Sequence, residues 1–416
     1  MRILYDITVR IYRMGILVSS LWNRKAKLWI GGRKDWYRNL KQTFGEKERV
    51  IWFHCASLGE FEQGRPVMEE TRKRFPRHRI LLTFFSPSGY EKRKNYEGAD
   101  HVMYLPLDTA GNASRMINTL SLEMAVFVKY EFWYHYLHRL DKEKIPVYLI
   151  SGSFRPDQLF FKWYGSWYKR FLECFTHIFV QQESSKMILE KAGIHPVSVA
   201  GDTRFDRVEK VAGTEFSRPA LEAFASGYKV IIAGSVWEQD EQILVHAFRE
   251  LPGKVRWIIA PHELSKGHLN RISRDFSPSV RYTEMEERVP EGIRTVIIDT
   301  IGQLSYLYRY GTLAYIGGGF GKGIHNILEA AAHGLPVIFG PRYKKFTEAV
   351  DLVRLNGAFP VSHHAKLLST IRQQLENPEL LKTSSEVARK YIQAKKGATS
   401  VIMDQVCKEF VFLIIS

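Results

Sequence analysis

From residue 49 onward the chain repeats one pattern: a short apolar run, a polar break, a longer amphipathic stretch, then the next apolar run. Apolar runs without alternation suit strands buried on both faces, and the stretches between them suit crossover helices, so parallel sheets are predicted. A first series of strands falls at 50–54, 79–84, 101–104, 124–128, 147–150, 178–180 and 197–200. Helices are expected after them, for instance over 61–75 and 132–143. A second series opens at 230–234 and continues through 255–260, 280–282, 295–298, 313–316 and 336–339. The stretch between them is polar and patternless at its start, which marks 206–228 as an interdomain linker. The expected fold class is α/β, with Rossmann-like, doubly wound domains over 37–205 and 229–416 facing a cleft. A closing helical segment, 380–407, offers a helix that can cross back to the first domain.

The first 36 residues follow a different pattern. Residues 1–22 are mostly apolar but are interrupted by Asp6, Arg10 and Arg13, and no small-residue cleavage site follows. That fits neither a signal peptide nor a clean spanning helix. Base and aromatic then alternate: Arg24, Lys25, Lys27, Trp29, Arg33, Lys34, Trp36. Cations among interfacial tryptophans, with Trp22 before them, suit an amphipathic helical segment lying on an anionic membrane surface. The plainer alternative is a helix packed on the domain with a solvated basic face. The apolar end, 410–415, is either a last helical turn or a second membrane contact.

One stretch stands apart, YIGGGFGKGIHNILEAAAHGLPVIFG at 315–340. It predicts a buried strand, a glycine-rich turn, a helix opening at His325 and Asn326, a break at Gly334 and a second buried strand. Gly318 and Gly319 would let backbone N–H groups approach an anion, and a helix N-terminus would add donors and partial positive charge. Glu329, one turn further, is placed to accept ribose hydroxyls. This suits a nucleotide-sugar more than a dinucleotide, because no acidic residue closes a second strand about 20 residues on. The alternative is that the glycines serve helix–strand packing only.

At 416 residues the chain can hold two cores. Its net charge of +16 calls for a polyanionic partner: nucleic acid, anionic lipid or a phosphorylated substrate. Cys55, Cys174 and Cys407 lie far apart without ligand spacing, so neither a disulfide framework nor a metal site is suggested, and a reducing cytoplasm is the default. Where the first strand ends, Ser57, Gly59, Glu60 and Arg65 begin a helix, and the helix dipole favours a carboxylate at Glu60. An S-x-x-E capping box accounts for Ser57 and Glu60 equally well in isolation.

Taken in chain order, SLGE at 57–60, YLPLD at 104–108, EFW at 131–133, GDTRFD at 201–206, GSVWE at 234–238, DTIG at 299–302 and the glycine-rich stretch with HNILEA at 325–330 resemble the 3-deoxy-D-manno-octulosonic acid (Kdo) transferases. Each motif alone is weak; in the family's order, across nearly the whole chain, they are jointly specific. The resemblance implies a GT-B glycosyltransferase that moves Kdo from CMP-Kdo to a lipid A precursor in lipopolysaccharide biosynthesis, with inversion and with no metal or other cofactor. It implies Glu60 as catalytic base, with Glu131 and Arg204 in transition-state stabilisation. It also implies donor contacts from Pro261 and His262, from Ile301, Gly302 and Gln303, and from Asn326, Ile327, Leu328 and Glu329. Gly234 and Ser235, ending a strand, suit a backbone approach to phosphate, and Ser57, Gly59 and Arg65 fall on the acceptor side. The implied location is the cytoplasmic face of the bacterial inner membrane, peripheral or N-terminally anchored.

A plain salt bridge is the other reading of Glu131 and Arg204. The chain departs from the family at Asp202 and Arg204, where Asn and Lys are usual, at Lys129, where an acid is usual, and at Ile327, where proline is usual. Those changes leave the reaction class standing and bear on acceptor details. Two alternatives differ in kind: a related transferase using another nucleotide-sugar, and a basic nucleic-acid-binding protein on a decayed glycosyltransferase fold. No RNA- or DNA-binding motif is present, so nucleic acid is not an expected partner.

Overall fold

The computed structural model describes residues 1–45, 47–285 and 289–415, with side chains as far as 410. They form two compact units, Met1–Asp206 with the segment from Gly397 onward, and Arg207–Lys396.

The first unit holds seven parallel strands: β1 (Arg49–Cys55), β2 (Arg79–Phe84), β3 (His101–Tyr104), β4 (Ser121–Val128), β5 (Val147–Gly152), β6 (His177–Val180) and β7 (Val197–Val199), in the order β3-β2-β1-β4-β5-β6-β7. Successive residues leave a strand on opposite faces. Val50 and Trp52 of β1 accordingly join Leu81, Phe127 and Leu149 on one side, while Ile51 and Phe53 join Ile80, Val126 and Tyr148 on the other. With both faces covered, the strands read as unbroken apolar runs. The second face is closed by the last helix, Ala398–Ile415, through Ile402, Met403, Val406 and Phe410. The chain's exit from this unit and its return are tied together, because the Asp206 carboxylate accepts the backbone N–H groups of Gly397 (2.5 Å) and Thr399 (2.7 Å).

The second unit holds β8 (Lys229–Val236), β9 (Val255–Pro261), β10 (Ser279–Arg281), β11 (Thr295–Ile297), β12 (Leu313–Ile316), β13 (Val337–Phe339) and β14 (Ala358–Pro360), all parallel, in the order β10-β11-β9-β8-β12-β13-β14. β14 was not expected; it is three residues long, lies at the sheet edge and ends in proline, which gives no apolar run to detect. The stretch expected as a linker, 206–228, instead contributes to two helices, Arg204–Gly213 and Pro219–Ala225, which bury Phe205, Val208, Leu221 and Phe224.

Ahead of β1 stand three helices, α1 (Arg2–Ser19), α2 (Arg24–Gly31) and α3 (Trp36–Thr43). The base–aromatic alternation divides between surface and interior. Arg33 is not a surface charge: its guanidinium donates to the carbonyls of Leu105 (2.8 Å), Trp29 (2.9 Å) and Phe85 (2.8 Å), and lies 3.8 Å from the Trp29 ring centroid. Trp29 is 6% exposed, so it is no interfacial anchor, and Trp36 is half-buried. A cation–π pair buried in protein produces the same alternation as a membrane-facing one. The exposed apolar surface lies on α1 instead, where Ile3, Ile7, Ile11, Met14 and Val18 form one stripe at helical spacing. None of the described helices is long and apolar enough to cross a membrane. A membrane contact at 410–415 involves side chains that, from 411 on, lie outside the described ones.

Candidate active site

Open parallel sheets bind ligands beyond the strand C-termini where the strand order reverses. In the first unit that reversal falls between β1 and β4. Glu60 follows β1 and Glu131 follows β4.

A helix, α4 (Leu58–Arg74), starts three residues after β1 ends. The Ser57 hydroxyl oxygen accepts the Gly59 N–H (3.3 Å) and its O–H donates to the Glu60 carboxylate in a short bond. Capping and function are therefore compatible here, since the same serine that caps the helix orients the acid. The helix lies directly on the strand ends: a Cβ at Gly64 would fall 2.9 Å from Val128 Cγ2. Further along, Arg65 is engaged with Glu69 (2.7 Å).

Glu131 is reached through Lys129, whose φ of 71° turns the chain off β4. Its side chain is largely buried. Trp133 Nε1–H donates to Glu131 Oε2 (2.8 Å), and His54 Nε2 lies 3.0 Å from the same oxygen. On the far side His54 Nδ1 is 2.8 Å from Thr83 Oγ1, which also accepts the Trp52 indole N–H at 2.8 Å. His54 and Thr83 are both fully buried and are register partners across β1 and β2. Sequence reasoning passed over His54 as a site residue, although a histidine inside an apolar strand is the signal that could have found it.

Arg204 opens its helix with the guanidinium forked onto Asp202, Nε at 2.9 Å and Nη2 at 2.7 Å from Oδ2. The preceding Thr203 is buried, and its hydroxyl donates to the Gln63 carbonyl of α4 at 2.5 Å. That bond brings the Arg204 loop to the helix that carries Glu60. The simple Glu131–Arg204 salt bridge is not what organises the site, since each residue has its own partner.

In the second unit the order reverses between β8 and β12. The glycine-rich turn after β12 does not present its donors as expected. Gly317 N–H donates to the Gly234 carbonyl (2.9 Å), Gly323 N–H to the Gly318 carbonyl (3.1 Å), and Gly318 N–H to Asp240 Oδ2 (2.9 Å). Asp240, 1% exposed, also accepts the Trp237 N–H (2.9 Å) and the Tyr315 hydroxyl (2.8 Å). The anion at this turn is thus a side chain of the protein. Gly319 is packed backbone to backbone, as a Cβ there would meet Gly340 N at 2.6 Å. The packing alternative accounts for these glycines.

The helix expected from His325 starts at Leu328 and ends at Ala332. Asn326 and Ile327 precede it: Asn326 Oδ1 accepts the Leu328 N–H (3.1 Å) and its Nδ2 donates to Glu329 Oε1 (3.2 Å). Burial pushes the Glu329 carboxyl up, with Arg207 and Asn326 opposing. Trp237, His262 and His325 form a stack, with ring centroids 4.2 Å apart for Trp237–His262 and 4.7 Å for His262–His325. Trp237 Nε1–H donates to His325 Nε2 (2.8 Å), and burial beside His262 holds His325 down at about 4. This leaves an aromatic surface at the ends of β8 and β9, to which Trp237 contributes without having been singled out in the sequence. Pro261 closes β9, and His262 N–H donates to the Val236 carbonyl (2.9 Å). Ser235 has φ 54° at the end of β8, and the space a Gly234 side chain would need is filled by Tyr308. Beyond β11, Gln303 accepts the Tyr282 hydroxyl (3.0 Å) beside the exposed Ile301 and Gly302 (φ 94°).

Residues 33–207 match a family model described as 3-deoxy-D-manno-octulosonic-acid transferase (kdotransferase). A 3-deoxy-D-manno-octulosonic acid transferase of Aquifex aeolicus is 25% identical over 354 residues, covering 83% of this chain and 92% of that protein. A bifunctional glycosyltransferase/methyltransferase of Fusobacterium nucleatum is 25% identical over 373 residues, 85% of this chain, and the match spans 57% of that longer protein. Among solved structures, a UDP-GlcNAc 2-epimerase from Neisseria meningitidis matches with a TM-score of 0.60 at 17% identity, over 86% of this chain and 100% of that one. At that identity the likeness concerns the fold alone, which is of the GT-B type.

Proposed function

We propose that this member of the Kdo transferase family moves Kdo from CMP-Kdo to a lipid A precursor, inverting the anomeric centre. The observation that carries the reading is the pair of acids at the first switch point, Glu60 held by Ser57 and Glu131 held by His54 and Trp133. Attack by the acceptor hydroxyl forms the new bond to the anomeric carbon as the bond to the CMP phosphate breaks. Glu60 takes the hydroxyl proton, and the electron pair leaves with CMP. One base is sufficient, and no covalent sugar intermediate or activated Ser or Cys is required. Glu131 offers negative charge to the oxocarbenium-like sugar, and Arg204 offers positive charge to the departing phosphate, with Asp202 fixing its direction.

The donor falls to the second unit, to Pro261, His262, Ile301, Gly302, Gln303 and the segment from Asn326 to Glu329. Because the N–H groups of Gly317 and Gly318 are already used and Gly319 is packed against Gly340, phosphate contact is left to Gly234 and Ser235. The place of work is the cytoplasmic face of the bacterial inner membrane, with the apolar stripe of α1 and its neighbours Arg10 and Arg13 on the bilayer.

Incubation with CMP-Kdo and a tetraacylated lipid A precursor, followed by mass spectrometry, tests this reading. The expected product is heavier by whole Kdo residues. A product formed only from a UDP-sugar would replace the donor assignment.

A further inference from the structure

A cavity of about 440 Å³ lies in the first unit between α1, α2, the start of α3 and the loop after β3, a size ordinary for small-ligand sites. Leu17, Ile30, Trp36 and Leu107 give it apolar walls, while Arg13 and Lys34, both exposed, add cations. No acidic residue lines it.

Two groups at this wall, the half-buried Arg33 and the buried Trp29, lack the partner their chemistry asks for. Arg33 is held by three carbonyls and by ring faces, and burial pushes it down to about 9 with only tyrosines acting against that shift. A buried cation without a counter-anion is unfavourable, and an anion alongside relieves it. The Trp29 indole N–H has no acceptor among the described residues. Arg13 and Leu17 bring α1, the helix that carries the exposed apolar stripe, to the cavity wall.

We propose that this cavity binds one phosphorylated, acylated amphiphile, with its phosphate at Arg13, Arg33 and Lys34 and its chain along Leu17, Ile30 and Leu107. Two sources share that chemistry, an anionic bilayer lipid and the lipid acceptor itself. The choice between them rests on the functional reading above; the site does not. Ring contacts run from the cavity wall to the candidate active site. Trp29 meets Phe85 (5.8 Å), Phe85 meets Trp133 (4.6 Å), and Trp133 holds Glu131.

The test is native mass spectrometry of the full chain in detergent, titrated with phosphatidylglycerol, with phosphatidylcholine and with the acylated disaccharide bisphosphate. The parent should retain phosphatidylglycerol in preference to phosphatidylcholine. R13Q/K34Q should weaken that binding by about tenfold or more, given two cations near one phosphate. Leu17→Trp, which fills the cavity from an exposed position, should weaken it as well, whereas K382Q/K390Q in the second unit should not. Displacement of phosphatidylglycerol by the disaccharide, with a raised acceptor KM in R13Q/K34Q, supports the site and identifies the acceptor as occupant. No displacement and an unchanged KM support the site and identify a bilayer lipid. Equal binding by R13Q/K34Q and the parent, or no preference for phosphatidylglycerol, overturns the site. Lipid binding without any transfer from CMP-Kdo would count against the functional reading and leave the cavity standing.

Discussion

At the switch point of the first sheet a half-buried acid opens a helix, and a second acid is held from behind by a buried histidine and tryptophan. At the switch point of the second sheet the acid is itself the buried group, and Asp240 gathers two backbone N–H groups and a tyrosine hydroxyl inward. Both places carry a carboxylate, a tight turn and a strand end. In the first the supports are hidden and the proposed base stays half-exposed; in the second the turn is self-satisfied and its glycines are architecture. A carboxylate at a strand end can therefore be chemistry or scaffold, and its partners decide which.

The largest effect expected from this contrast is on turnover. Glu60→Gln should lower the transfer rate by ~10²–10⁴ while leaving the fold intact, as removal of a general base does. Near-parent rates in a discontinuous product assay would remove Glu60 from its role. Asp240→Asn should act on stability instead, by about 3 kcal/mol, because an amide cannot satisfy three buried donors. Urea unfolding followed by circular dichroism reads this directly, and an unchanged midpoint would mean that the turn is not held as described.

On the membrane side, I7E/I11E on the α1 stripe should weaken binding to anionic vesicles by roughly 2 kcal/mol, through lost apolar burial and added repulsion. Sedimentation equal to the parent's would move the contact elsewhere. The smallest effect concerns pH. His325 stays neutral down to about 4 in the folded chain but titrates near 6.5 when unfolded, so the unfolded state binds the extra proton between those values. Stability should fall as pH drops from about 6.5 toward 4. His325→Gln should flatten that slope in thermal melts; an unaltered slope would assign it to other groups.

Much of the fold was legible because strands buried on both faces leave apolar runs that need no partner to be recognised. β14 left no such run, and the helices Arg204–Gly213 and Pro219–Ala225 hide few apolar residues in a polar stretch. The acids Glu60 and Glu131 were legible from motifs, but their supports are contacts across strands: His54 to Glu131 spans 77 positions and Gly318 to Asp240 spans 78. The Arg33–Trp29 pair was misread because composition records that a cation lies near an aromatic ring, not whether water or protein surrounds them.

The proposed division of labour puts chemistry in the first unit and donor holding in the second. Calorimetric titration of CMP into Glu60→Gln and Glu329→Ala tests it most directly. Parent-like CMP affinity is expected for Glu60→Gln, and weakened affinity for a folded Glu329→Ala. Weakened binding in Glu60→Gln together with unchanged binding in Glu329→Ala would contradict it.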